Sequence, residues 1–296
     1  MKAKTKQEIQ EFCKILKLNA VSNNYENLLT DITDPAEYLH KLLSLEIDAG
    51  EQKLIERRIR GAKFPYKKYL EDLDVKALPK GMQKRLPELM TLDFIRNGQN
   101  LIMTGNPGTG KTHTAIGLGI RACEAGYRVL YTTVPYLVTE LKESNNNQKL
   151  RAYERRFEKY DLVIADELGY ISFDRAGADL LFSNLSLRAM TKATIITSNL
   201  TFDRWDEIFG DAAITSAIVD RLTYKAILVD MEGDSYRFKE TLRENGASFE
   251  YLKEVQNAGS DCYPPKDYIE TYQGDKFVKQ ETKGMTKSEK DSSLRE

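Results

Sequence analysis

Eight residues, Gly105-Asn106-Pro107-Gly108-Thr109-Gly110-Lys111-Thr112, constrain this chain more than any other stretch. They follow an apolar run, Asn100-Leu101-Ile102-Met103-Thr104, and match Gly-x-x-x-x-Gly-Lys-[Ser/Thr], the phosphate loop that joins a strand to a helix. Glycines let successive backbone N–H groups turn inward around phosphate oxygens, where side chains would block the approach. Lys111 is then within reach of the β- and γ-phosphates, and the Thr112 hydroxyl faces Mg²⁺. The unpaired N–H groups of the helix's first residues, His113 among them, complete an anion site.

A second run, Asp161-Leu162-Val163-Ile164-Ala165-Asp166-Glu167, reads as a buried strand ending in two carboxylates. Asp166, at the strand's carboxyl end, is placed to hold Mg²⁺ through its water shell, because Mg²⁺ favours carboxylate oxygen and keeps most of its waters. Glu167, one residue on and aimed elsewhere, is placed to polarise the water that attacks the γ-phosphate. A plain nucleotide switch has no need of that glutamate, so the pair points to hydrolysis. The next strand, Ala193 to Thr197, runs into Ser198-Asn199, where an amide could orient the same water or simply begin a turn. Arg221 and Arg237 are two further candidates for meeting charge that develops on the phosphate; each is equally readable as a surface ion pair.

Around these motifs the chain alternates. Helix 111–125, strand 128–132, helices from 135 and 149, strand 161–166, helix 175–190, strand 193–198, helix 214–223 and strand 226–230 argue for a parallel sheet covered on both faces. Residues 1–69 read as a helical domain for DNA or a partner. Residues 70–99 read as a linker with one helix over 82–96, residues 100–245 as the nucleotide-binding core, and 246–296 as a polar tail whose last twenty or so residues lack the apolar content to fold.

The net charge is only −1, so contact with nucleic acid has to come from a local patch. Lys53 to Lys68 supplies one, with seven basic residues against one acidic, including Arg57, Arg58, Arg60, Lys63, Lys67 and Lys68. Phe64, Tyr66 and Tyr69 lie among them, available to stack on bases, although a solvated helix face followed by a linker has the same composition. Three distant cysteines, Cys13, Cys123 and Cys262, fit free thiols in a reducing compartment. The basic stretch Met1–Glu8 has no apolar core after it, and no run of about 18 apolar residues occurs; a cytoplasmic protein without membrane contact is expected.

Taken together, these residues resemble the IstB-like branch of the AAA+ ATPases, helper ATPases of insertion-sequence transposons. DnaC-type helicase loaders are a more distant likeness and the alternative reading. The matching segments are Gly105–Thr112, Ala165-Asp166-Glu167-Leu168-Gly169-Tyr170, Ala178–Phe182, Thr197-Ser198-Asn199-Leu200, Trp205–Gly210, Asp220-Arg221-Leu222 and Ser235-Tyr236-Arg237. The resemblance implies an AAA+ P-loop NTPase with a five-stranded parallel sheet of order 5-1-4-3-2 and an N-terminal helical domain. It implies ATP and Mg²⁺ bound between subunits, Asn199 as sensor 1, Arg221 as an arginine finger acting in trans and Arg237 as sensor 2. It also implies an ATP-dependent homo-oligomer, of open-spiral form, that binds and deforms double-stranded DNA and regulates a transposase. The chain departs from the pattern at Asp211-Ala212-Ala213, where helpers often carry an arginine.

Overall fold

The computed structural model describes the backbone of residues 3–32, 34–189, 191–244, 268–273 and 276–281. The chain forms two units, Met1–Tyr236 and Arg237–Glu296. The first begins with helices α1 (Ala3–Leu16), α2 (Asn19–Asp31) and α3 (Pro35–Gly61). Asp34 starts α3 by accepting the N–H groups of Ala36 and Glu37, with Pro35 at the first helical position. Glu46, on α3, caps the start of α2 in the same manner, accepting from Ala20 and Val21 at 2.7 and 3.1 Å. On α1, Cys13 is buried while Phe12 and Leu16 are 57% and 65% exposed, so these helices have only a thin core.

Next come α4 (Lys80–Leu89), α5 (Asp93–Arg96) and then β1 (Leu101–Thr104), α6 (Lys111–Glu124), β2 (Val129–Thr133), α7 (Val134–Asn146) and α8 (Leu150–Phe157). The unit is completed by β3 (Leu162–Leu168), α9 (Arg175–Arg188), β4 (Ala193–Ser198), α10 (Asp206–Phe209), α11 (Ala212–Thr223) and β5 (Ile227–Asp230). The single helix expected over 82–96 is broken. Thr91 takes the carbonyl of Glu88 and the N–H of Asp93 with its own hydroxyl, and Leu92 turns left-handed at φ +62°, local bonds that compete with the helical ladder. Asp211, the departure noted above, is the N-cap of α11, accepting from Ala213 and Ile214.

The five strands are all parallel in the order β5-β1-β4-β3-β2, as expected. Side chains alternate across it: Leu101 and Met103 pack on one face with α6 and α4, and Ile102 on the other with α7, α9 and α11. Phosphate-loop proteins place ligands outside the carboxyl ends of such strands, and here those ends belong to β1, β3 and β4.

The second unit contains β6 (Tyr268–Gln273) and β7 (Lys276–Glu281), an antiparallel pair; helix α12 (Tyr236–Glu244) begins on the last residue of the first unit. The expectation of an unstructured end is therefore corrected for residues 276–281. Aromatic and β-branched residues, Tyr268, Ile269, Thr271 and Tyr272 before Gly274-Asp275 and Phe277 and Val278 after it, are a strand signal that the polar composition masked. Residues 245–267 and 282–296, with Cys262 and the Tyr263-Pro264-Pro265 stretch, lie outside the described residues. Among the described residues no helix is long and apolar enough to cross a membrane.

Candidate functional site

The loop between β1 and α6 is tightly enclosed. Gly105, Gly108 and Gly110 have φ of +141°, +79° and +94°, which side-chain-bearing residues rarely adopt. Their surroundings are closed as well: a Cβ on Gly105 would strike the backbone carbonyl of Met231, and one on Gly108 the side chain of Ser235. The segment 231–236 is bonded to the loop, with Met231 N–H on Thr104 O at 2.7 Å, Tyr236 N–H on Gly108 O at 2.9 Å and Asn106 Nδ2 on Gly233 O at 3.4 Å. Thr109 closes an internal turn on Asn106 O at 2.9 Å. Lys111 is buried, its ammonium donating to Gly105 O and Asn106 O at 2.7 Å each, which keeps the charge at the loop's rim.

Asp166 is buried and accepts three hydroxyls: Thr112 Oγ1 at 3.1 Å and Thr197 Oγ1 on its Oδ1, and Tyr131 OH at 2.7 Å on its Oδ2. Burial, then the Asp166 charge, push the Tyr131 phenol well above its ordinary range, so it remains a proton donor. Glu167 follows at φ +66° because β3 bulges there: pairing runs Ala165 to Ile196 and resumes at Leu168 to Ser198, so two acidic residues oppose Thr197 alone. The bulge turns Glu167 away from the line of Asp166, and its N–H donates to Thr197 Oγ1 at 3.0 Å. Asn199 leaves β4 next to the loop, since the preceding carbonyl, Ser198 O, accepts Gly105 N–H at 3.2 Å. Ser198 Oγ then accepts Leu200 N–H at 3.1 Å and turns the chain around the asparagine.

Gly105 to Thr112, Asp166, Glu167 and Asn199 are thus brought to one edge of the sheet. The His113 ring is not turned to the loop; its Nε2 pairs with Tyr69 O at 2.9 Å, leaving only its backbone for a phosphate. Arg221 is exposed on α11 with its guanidinium 5.8 Å from the Phe182 ring centroid, and among the described residues no hydrogen bond or ion pair joins it to the loop. Arg237 opens the second unit on α12. Arg57, Arg60, Lys63, Lys67 and Lys68 are exposed and Arg58 half-buried along and after the end of α3. The interleaved aromatics differ from expectation: Phe64 lies 6.2 Å from the Tyr131 ring and against Gly119, and Tyr69 packs on the same core, whereas Tyr66 is 51% exposed. Sequence reasoning missed Thr197 and Tyr131; a threonine in the apolar run of β4 was the one visible signal.

The donor set fits the groups the loop implies. A left-handed glycine cradle admits phosphate oxygens, and one carboxylate with one hydroxyl is the set Mg²⁺ takes when nucleotide phosphates supply the rest. A parallel sheet with a phosphate loop and paired carboxylates at its carboxyl edge defines a phosphate-loop nucleotide-binding protein. The family model for IstB-like ATP binding proteins matches residues 13–244, and the chain belongs to that family. It is 35% identical to the ATP-binding protein of insertion sequence IS5376 from Geobacillus stearothermophilus over 79% of this chain and 95% of that one. It is 34% identical to that of insertion sequence IS21 from Pseudomonas aeruginosa, over 79% and 89%. The crystal structure of the DnaC helicase loader is matched at 18% identity and a TM-score of 0.42, over 59% of this chain and 98% of that one, too loosely to bear on function.

Proposed function

We propose that the protein hydrolyses ATP in a Mg²⁺-dependent reaction and uses the cycle to assemble on double-stranded DNA and regulate the transposase of its own insertion sequence, in the cytoplasm. The observation that carries the hydrolytic part is the bulge in β3. It sets Asp166 back among hydroxyls and turns Glu167 out as a separate carboxylate at the same sheet edge as the loop. Thr112 and Asp166 hold the metal, which neutralises charge on the phosphates; Lys111 and the loop N–H groups bind the phosphate oxygens. Glu167 takes the proton of the attacking water and Asn199 orients that water. Arg221, exposed and without an acidic partner among the described residues, acts on the site of a neighbouring copy, and Arg237 serves as sensor 2.

The role in transposition rests on the insertion-sequence relatives and on the exposed cations after Arg57. Those cations make no ion pair among the described residues, which suits phosphate contacts in an open-spiral homo-oligomer. Electron microscopy of the protein on duplex DNA tests the assembly: ordered oligomers with ATP and none without nucleotide are expected. A monomer that ignores duplex DNA at low salt overturns the reading. Preference for single-stranded DNA together with capture of a replicative helicase would establish the helicase-loader alternative instead.

A further inference from the structure

Tyr131 stands in the middle of β2, an edge strand, and two polar groups leave it in different directions. Its hydroxyl reaches Asp166 Oδ2, on the neighbouring strand β3, at 2.7 Å, and its N–H leaves the sheet edge for Ala62 O at 2.8 Å. Ala62 is fully buried and directly follows α3, the helix that carries Arg57, Arg58 and Arg60. Between Ala62 and Leu70 the chain is fastened to α6. The Phe64 ring fills the notch at Gly119, where a Cβ would come within 2.9 Å of it, and Leu70 the notch at Gly117, at 2.6 Å. The ring of Tyr131 is therefore clamped between the sheet and this strap, and only the hydroxyl reaches the site.

The acceptor side is equally defined. Thr112 and Thr197 both donate to Oδ1 of Asp166, so among the described residues Tyr131 is the only donor on Oδ2. A buried carboxylate fixed at one oxygen can still rotate about its bond to Cβ; a donor on the second oxygen stops that rotation. We infer that Tyr131 is a positioning residue for the metal-holding carboxylate Asp166, held by the strap that runs off the basic helix. The inference rests on the reading of Thr112 and Asp166 as the metal site. Hydroxyls that orient a metal-holding carboxylate in this way typically change metal affinity or activity by about 10–100-fold when removed.

The experiment is a Mn²⁺ titration, followed by electron paramagnetic resonance, of the full chain saturated with a non-hydrolysable ATP analogue. Tyr131→Phe keeps the ring and removes the hydroxyl; it is expected to weaken Mn²⁺ by about tenfold, while analogue affinity measured in a chelator and the melting temperature stay close to those of the wild type. Phe64→Leu is the packing control: it should lower the melting temperature and leave Mn²⁺ affinity near the wild-type value. Asp166→Asn separates the two claims. If Asp166→Asn loses Mn²⁺ and Tyr131→Phe does not, the positioning role is overturned and the metal site stands. If Asp166→Asn binds Mn²⁺ as the wild type does, the metal reading fails and the positioning role with it. A loss in Phe64→Leu equal to that in Tyr131→Phe would assign the effect to packing and overturn the role of the hydroxyl.

Discussion

The hydroxyl of Thr197 accepts the N–H of Glu167 at 3.0 Å while donating to Asp166, so a single buried side chain on β4 holds both acidic residues of β3. This follows from the bulge, which leaves Thr197 opposite two residues at once. Thr197→Val removes both bonds without changing the side chain's shape. It should destabilise the fold by about 1–3 kcal/mol, the typical result of leaving buried polar groups unpaired. Urea unfolding reads this, and kcat should fall more than analogue affinity, because the loop itself is untouched.

Gly108 gives a second test. Alanine there meets both a left-handed backbone and the Ser235 side chain. Gly108→Ala should abolish analogue binding in a titration. Adding Ser235→Gly relieves the contact and leaves the backbone strain, so the double variant should recover binding only in part.

For Arg221, the prediction is complementation. Arg221→Ala and Glu167→Gln should each be inactive, yet a mixture of the two should hydrolyse ATP, because some interfaces then pair an intact Glu167 with an intact Arg221. An inactive mixture that still co-assembles would place the arginine's role within its own subunit.

Replacing Arg57, Arg58 and Arg60 together should weaken duplex DNA binding and flatten its salt dependence by about 0.9 in log–log slope for each phosphate that is no longer neutralised. Affinity measured across a salt series checks it; an unchanged slope would move the DNA-binding surface off α3.

Much of the site was legible in sequence because its chemistry is local. The loop needs glycine at positions whose φ is positive, the helix must follow at once, and Asp166-Glu167 must end an apolar strand. The strand order was reached through the family likeness of those same motifs. What was not legible depends on register between distant segments. No spacing says that the chain bulges opposite Thr197, or that Tyr131 on β2 reaches Asp166 on β3. Phe64 and Tyr69 sit among lysines and read as a stacking surface, whereas notches at Gly117 and Gly119 draw the strap between them onto α6. The expected helix over 82–96 failed for a smaller reason, a threonine hydroxyl that outcompetes one helical bond.

The central claim is that Glu167 makes this phosphate loop hydrolytic. Steady-state phosphate release from Mg²⁺-ATP, measured with direct ATP binding, tests it in three proteins. The wild type should bind and turn over ATP, Glu167→Gln should bind it without turnover, and Lys111→Ala should do neither. Phosphate release by Glu167→Gln at the wild-type rate would contradict the account.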